Sequence, residues 1–187
     1  MIMSDHTAPT RDIVINGIVD DRLADALLRE LQSGNYDRET HLRLFLNSSG
    51  GSIPIAMAIA RILLSSFNCI STYNLSTVDS AAIIIYLAGA QRYSCSTARF
   101  LFHAPEIQLN GSYNQRALTE YMTVLQSDSE SALRYMHERT EIPLRTLGAF
   151  MQEQHICDCE QALNLGLATG RCDEPQTNEP CYLRTTC

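Results

Sequence analysis

The chain has 187 residues, 45 % hydrophobic and 19 % charged, a composition that supports one folded domain with its own core and excludes a disordered chain. Its formal net charge is −7 and all 14 basic residues are arginine, which argues against nucleic acid or an anionic membrane as the main partner. The longest apolar run, Ala81 to Ala90, falls short of the roughly 18–20 residues that cross a bilayer, and Met1 to Asp12 lack a signal peptide's apolar stretch, so a cytoplasmic protein is expected.

In chain order, Arg11 to Ile18 reads as a first strand, closed by Gly17 and the Asp20-Asp21 pair. Those aspartates can cap a helix from Arg22 to Ser33, whose Leu23, Leu27, Leu28 and Leu31 form one apolar stripe. Gly34-Asn35 ends it. His41 to Asn47 is a second strand running into Ser48-Ser49-Gly50-Gly51-Ser52, and a helix follows from Ile53 to Ser65 with Pro54 in its first turn. A third strand, Cys69 to Leu75, leads through Ser76 to Ser80 into an apolar helix, Ala81 to Ala88, which should be buried on all sides. Arg92 to Ser94 and Arg99 to His103 read as short strands, and Ala104 to Ser112 as a loop or extended hairpin. A long polar helix from Asn114 to Arg139 and two shorter ones, Pro143 to Gln154 and Cys159 to Leu165, complete the pattern.

Strand–helix alternation of this kind predicts an α/β fold of repeated right-handed βαβ units on a mostly parallel sheet. The expected organisation is a short flexible segment (residues 1–11), one domain (12–170) and a flexible cysteine-containing tail (171–187) that has lost periodicity. Cys69 and Cys95 sit in apolar or strand-like surroundings and are expected as small buried hydrophobes. Cys157, Cys159, Cys172, Cys181 and Cys187 crowd the end of the chain, but C-x-C followed by isolated cysteines is a weak spacing for zinc, so free thiols and no metal are expected.

Three local features carry chemistry. Gly50-Gly51 lies between a strand and a helix, where glycines permit a tight turn that presents N–H groups to an oxygen. Ser80 occupies the equivalent place one unit later, at the positive end of a helix dipole that favours an oxyanion, although a plain N-cap role for Asp79 or Ser80 is an equally local reading. His103 ends an apolar strand and is followed by Ala104-Pro105; it can act as a base toward a neighbouring turn or be a half-buried structural histidine.

Together these features resemble the proteolytic subunit of the Clp protease family. Asn47-Ser48-Ser49-Gly50-Gly51-Ser52 is similar to the family's Asn-Ser-Pro-Gly-Gly-Ser turn. Ser80 to Ala90 resembles its catalytic serine and following helix, and Phe102-His103-Ala104-Pro105 its Ile-His-Gln-Pro. The Gly51-to-Ser80 separation (80 − 51 = 29) is the family's, while the interval from Ser80 to His103 is two residues shorter. Cys159 to Leu167 resembles the family's Ala-x-Glu-Ala-x-x-x-Gly-Leu helix, so the likeness runs in order from about Asp12 to Gly170.

The resemblance implies a crotonase-type fold with a protruding handle helix (residues 114–139) and a serine endopeptidase that hydrolyses unfolded proteins or peptides inside an oligomeric ring. By this likeness Ser80 is the nucleophile, His103 the base, and the N–H groups of Gly51 and Ala81 the oxyanion hole. The family's triad aspartate falls on Gln154, an amide that can orient imidazole but cannot stabilise imidazolium with a full charge; Glu153 and Asp158 are the nearby carboxylates. No cofactor is implied. The implied partners are substrate chains, further copies of the chain in a ring of seven or a stacked double ring, and an AAA+ unfoldase. Only about ten polar residues precede the first strand, short for the loops that engage such an unfoldase. Glu106-Ile107-Gln108-Leu109 replaces the family's Gly-rich stretch, although the alternation of Ile107 and Leu109 still suits a strand. Leu118, Tyr121, Met122, Leu125, Leu133 and Met136 give the handle an apolar stripe that points to oligomerisation. Two further readings stand beside this one: a catalytically impaired paralogue with a structural or regulatory role, and a crotonase-like acyl-CoA enzyme.

Overall fold

The computed structural model of the protein describes residues 9–34 and 36–185, so most of the expected N-terminal segment, Asn35 and Cys187 lie outside the described residues. β1 (Thr10–Val19), α1 (Asp21–Ser33), β2 (His41–Gly51), α2 (Ile53–Ser66) and β3 (Cys69–Asp79) alternate as expected. Asp20 caps α1 by accepting from the Leu23 N–H at 3.0 Å, and Ser52 caps α2 by accepting from Ile55 at 3.4 Å. α3 (Ala82–Tyr86) is shorter than the apolar run implied, because turns take up both ends, but all five of its residues are buried. The short strands β4 (Gln91–Ser94) and β5 (Arg99–Leu101) follow, then α4 (Gln115–Thr140), α5 (Leu144–Glu153), β6 (Ile156–Asp158), α6 (Cys159–Asn164), β7 (Gly170–Arg171) and β8 (Cys181–Arg184).

Eight strands form one sheet in the order β6-β5-β3-β2-β1-β8, with β4 bridging β3 and β7. Every pairing is parallel except β5 with β6. β3 divides its partners: residues 71–74 pair with β4 and residues 77–79 with β5. Because β1, β2 and β3 advance in one direction, right-handed crossovers place α1, α2 and α3 on one face of the sheet. Ile13, Ile15, Leu42, Leu44, Leu46 and Ile70 alternate toward that face and form the core with the helices.

The opposite face carries the residues in between. Phe45, Tyr73 and Tyr93 lie in register across β2, β3 and β4 and stack at 4.6 and 5.0 Å between ring centroids. Beside them Arg43 holds the buried Asp12 through two bonds of 2.7 and 2.6 Å. Here the structure departs from the expected loose tail. β7 lies beside β4 and β8 beside β1, so the connecting residues pass over this face, where the Asn178 N–H donates to Asp12 at 2.7 Å. Thr185 then bonds Asn16 and Ile18. The two- and four-residue strands involved are too short to leave a periodic pattern in sequence.

Two arginines fix the C-terminal end of α3. Arg139 donates to the carbonyls of Leu87 and Ala88, and buried Arg92 to those of Gly89, Gly166 and Leu167. α4 is capped by Asn114 and buries only Ala132 and Met136, both in its C-terminal half. Its first half presents Leu118, Met122 and Val124 to solvent at 42, 70 and 56 % exposure. Residues 102–114 form no regular element, so the strand that Ile107 and Leu109 suited is absent and Ile107 is exposed. Cys95 is buried as expected, whereas Cys69, at the very start of β3, is exposed. Among the described residues no group of histidine, cysteine and carboxylate side chains is placed to hold a metal, and no helix is long and apolar enough to cross a membrane.

Candidate active site

Ser80 stands in the turn between β3 and α3 with φ +53°, a left-handed conformation that is strained for a side chain other than glycine or asparagine. The turn is held from both sides: the Ser80 N–H donates to Leu101 on β5 at 2.8 Å, and its carbonyl accepts from Ile83 at 3.1 Å. Among the described residues the N–H of the next residue, Ala81, meets no acceptor.

The β2–α2 turn packs directly on this one. Gly50 (φ +88°) comes so close that a Cβ there would lie 2.6 Å from the Asp79 carbonyl and 2.7 Å from the Ser80 Cβ. Gly51 (φ +148°) has no room for a side chain, since a Cβ would meet the Val19 carbonyl at 2.3 Å. Both glycines are therefore required by φ and by contact, which explains the Gly-Gly sequence physically.

His103 follows β5 and is pinned on each side: the Phe102 N–H donates to His155 at 2.9 Å and the Ala104 N–H to Met151 at 3.0 Å. Its Nδ1 donates to the Ala104 carbonyl at 2.8 Å. That bond selects the tautomer with the proton on Nδ1 and leaves Nε2 with a free lone pair. Ser80, His103, Gly50, Gly51, Pro105 and Val124 line one cleft of about 520 Å³. Beneath it a small apolar recess reaches Ile53, Ile84, Phe102 and Met136. Among the described residues no hydrogen bond joins Ser80 to His103, although both line the cleft and the recess.

The third expected position makes no such contact with His103. Gln154 ends α5 in a left-handed conformation (φ 53°), its N–H bonded to Phe150 and its residue exposed, with no bond to His103 among the described residues. Glu153 is exposed, and Asp158 is engaged as the cap of α6. The residue that sequence reasoning passed over is Asp79. It immediately precedes Ser80, is buried, bonds Arg99 through Oδ2 at 3.3 Å, and leaves Oδ1 without a partner. Burial pushes its carboxyl above the usual range, opposed by the charge and hydrogen bond of Arg99, by the Leu101 backbone N–H and, least, by the charge of His103. The signal was present in sequence as a carboxylate beside the candidate nucleophile, where an N-cap role is the ordinary expectation.

Comparison with known proteins sets this geometry in a family. The family model described as Clp protease matches residues 3–172. An ATP-dependent Clp protease proteolytic subunit 4 of Rhodococcus jostii is 29 % identical over 165 residues, covering 84 % of this chain and 82 % of its own. The proteolytic subunit of Bdellovibrio bacteriovorus is 26 % identical over 161 residues, covering 84 % and 76 %. In structure, a ClpP1 mutant from Listeria monocytogenes superposes with a TM-score of 0.75 at 20 % identity, covering 88 % of this chain and 92 % of that one, a likeness of fold alone. With the family matched over residues 3–172 of 187, the chain belongs to the Clp protease family and is a ClpP-like serine peptidase.

Proposed function

We propose that this chain is an endopeptidase subunit in which Ser80 is the nucleophile and His103 the general base. The observation that carries the reading is the strained Ser80, held at the head of a buried helix in one cleft with His103 and the Gly50-Gly51 turn. His103 Nε2 takes the proton of Ser80 Oγ as Oγ bonds the peptide carbonyl carbon and the carbonyl electron pair moves onto oxygen. The N–H groups of Gly51 and Ala81 receive that oxyanion, and loss of one such donor costs roughly 10²–10³ in turnover. Nε2–H then protonates the leaving amine as the C–N bond breaks, and water releases the acyl group by the reverse sequence.

The substrates are unfolded or short peptides, the cleft being open and flanked by a loop without regular structure. The exposed apolar half of α4 supports assembly of further copies into rings, in the cytoplasmic setting and with the ATPase partner that the family's members suggest. A fluorophosphonate probe tests the chemistry, since it reacts with a serine only when that serine is activated: labelling of Ser80 that disappears in Ser80→Ala supports the reading, and labelling that survives the substitution contradicts it. The impaired-paralogue reading draws on the exposed Gln154 and the missing carboxylate contact at His103, and predicts no labelling at all.

A further inference from the structure

We propose that the task of the missing triad acid is divided in this chain, with the Ala104 carbonyl orienting His103 and the buried carboxylate of Asp79 supplying the negative charge that stabilises its protonated form. The inference rests on the assignment of Ser80 and His103 above. A triad acid does two things: it fixes the imidazole tautomer and it compensates the positive charge that forms on the ring. The first is met without a carboxylate, because Nδ1 is bonded to a backbone carbonyl 2.8 Å away. A neutral carbonyl does not meet the second.

Asp79 meets it by position. It pairs with Leu101 in the parallel register of β3 and β5, on the side of the sheet where Arg99 bonds it, and His103 follows two residues beyond Leu101, close enough for its charge to bear on the Asp79 carboxyl. One of its oxygens is spent on Arg99, and the other is buried and unpartnered. An orphaned buried carboxylate oxygen is costly and calls for an explanation. A cation that appears only during the reaction is such an explanation, since Asp79 then gains a counter-charge in the state where catalysis needs it. The other ionisable groups around His103 are Arg99 on β5, Glu106 on the following loop, Asp128 on α4, His155 before β6, and Asp158, which stands opposite Arg99. Glu106 is exposed and Asp128 half-buried, both on the open cleft, so water screens them more than it screens Asp79.

Asp79 is a positioning residue acting through His103, and the test reads a property that a packing role would leave alone. The rate of fluorophosphonate labelling of Ser80 is measured from pH 5 to 9 in the unchanged chain, in Asp79→Asn and in Asp79→Glu. A nearby negative charge raises a histidine's pKa, so Asp79→Asn is expected to slow labelling at least roughly tenfold and move the acid limb of the profile down by roughly half a unit or more. Asp79→Glu, which keeps the charge, is expected to restore the limb. A slower Asp79→Asn with an unmoved limb, or an unchanged rate, overturns the inference while leaving Ser80 as the nucleophile. No labelling of the unchanged chain overturns the assignment of Ser80 and the inference with it. Circular dichroism of the variants separates a folding defect, and a folded Asp79→Glu that fails to restore the limb also counts against the proposal.

Discussion

His103 Nδ1 donates to the carbonyl oxygen of Ala104, its own neighbour, rather than to a side chain. The orientation of the ring is thereby a property of the backbone between Phe102 and Pro105, and Gln154, on the exposed end of α5, makes no hydrogen bond to it among the described residues. Gln154→Ala is accordingly expected to change the labelling rate of Ser80 by no more than about twofold, as for a surface substitution. A loss of tenfold or more would mean that Gln154 swings onto His103 in the working state.

The contact of Gly50 with the Asp79–Ser80 turn gives a second prediction. Gly50→Ala places a Cβ within 2.6 Å of a backbone oxygen at φ +88°, so the two turns must separate. Backbone strain alone costs about 1–3 kcal/mol. Urea denaturation is expected to show at least that loss together with failure of Ser80 to label, and a stable, labelled variant would contradict the geometry.

The ion pair under the C-terminal segment gives a third. Asp12→Ala strips Arg43 of both its bonds and Asn178 of its acceptor in a buried place, an effect of about 3 kcal/mol. The midpoint of urea unfolding is expected to fall accordingly. A loss below about 1 kcal/mol would mean that the segment and the pair do not hold each other as described.

Thiol reactivity separates the cysteines. Burial pushes Cys157 up to about 12, so its thiol stays protonated at pH 8, while Cys69 is exposed. Iodoacetamide at pH 8 is expected to modify Cys69 within minutes and Cys157 only after unfolding. Rapid modification of Cys157 in the folded protein would contradict its placement.

How much of this was legible in sequence follows from the physics of each element. α1 and α2 were readable because a cap, a stripe and a stop coincide: Asp20, Leu23 and Leu27, Gly34 for the first, and Ser52 with Pro54 for the second. β2 and β3 run to Gly51 and Asp79, beyond their apolar stretches, because neighbouring strands continue to pair with their polar ends. The C-terminal strands were not readable, since β7 and β8 are set by partners far along the chain and not by periodicity. Among the proposed site residues, Ser80, His103 and Gly51 were picked out by motif. Asp79 was not, because its interest lies in burial and an unpartnered oxygen, neither of which a sequence displays.

The exposed half of α4 bears on assembly. Leu118 and Met122 stand one turn apart on it, so Leu118→Glu with Met122→Glu is expected to shift sedimentation to the monomer without unfolding the chain. An unchanged oligomer would place the subunit contacts elsewhere.

The most direct test of the central claim is intact-mass and peptide analysis of the purified chain after reaction with a fluorophosphonate. The chain lacks lysine, so trypsin releases Ser80 within residues 62–92. A single adduct on that peptide, absent from Ser80→Ala and from His103→Ala, is the predicted result. No adduct on the intact, folded protein, or an adduct on another residue, would contradict the assignment of Ser80 and His103 as nucleophile and base.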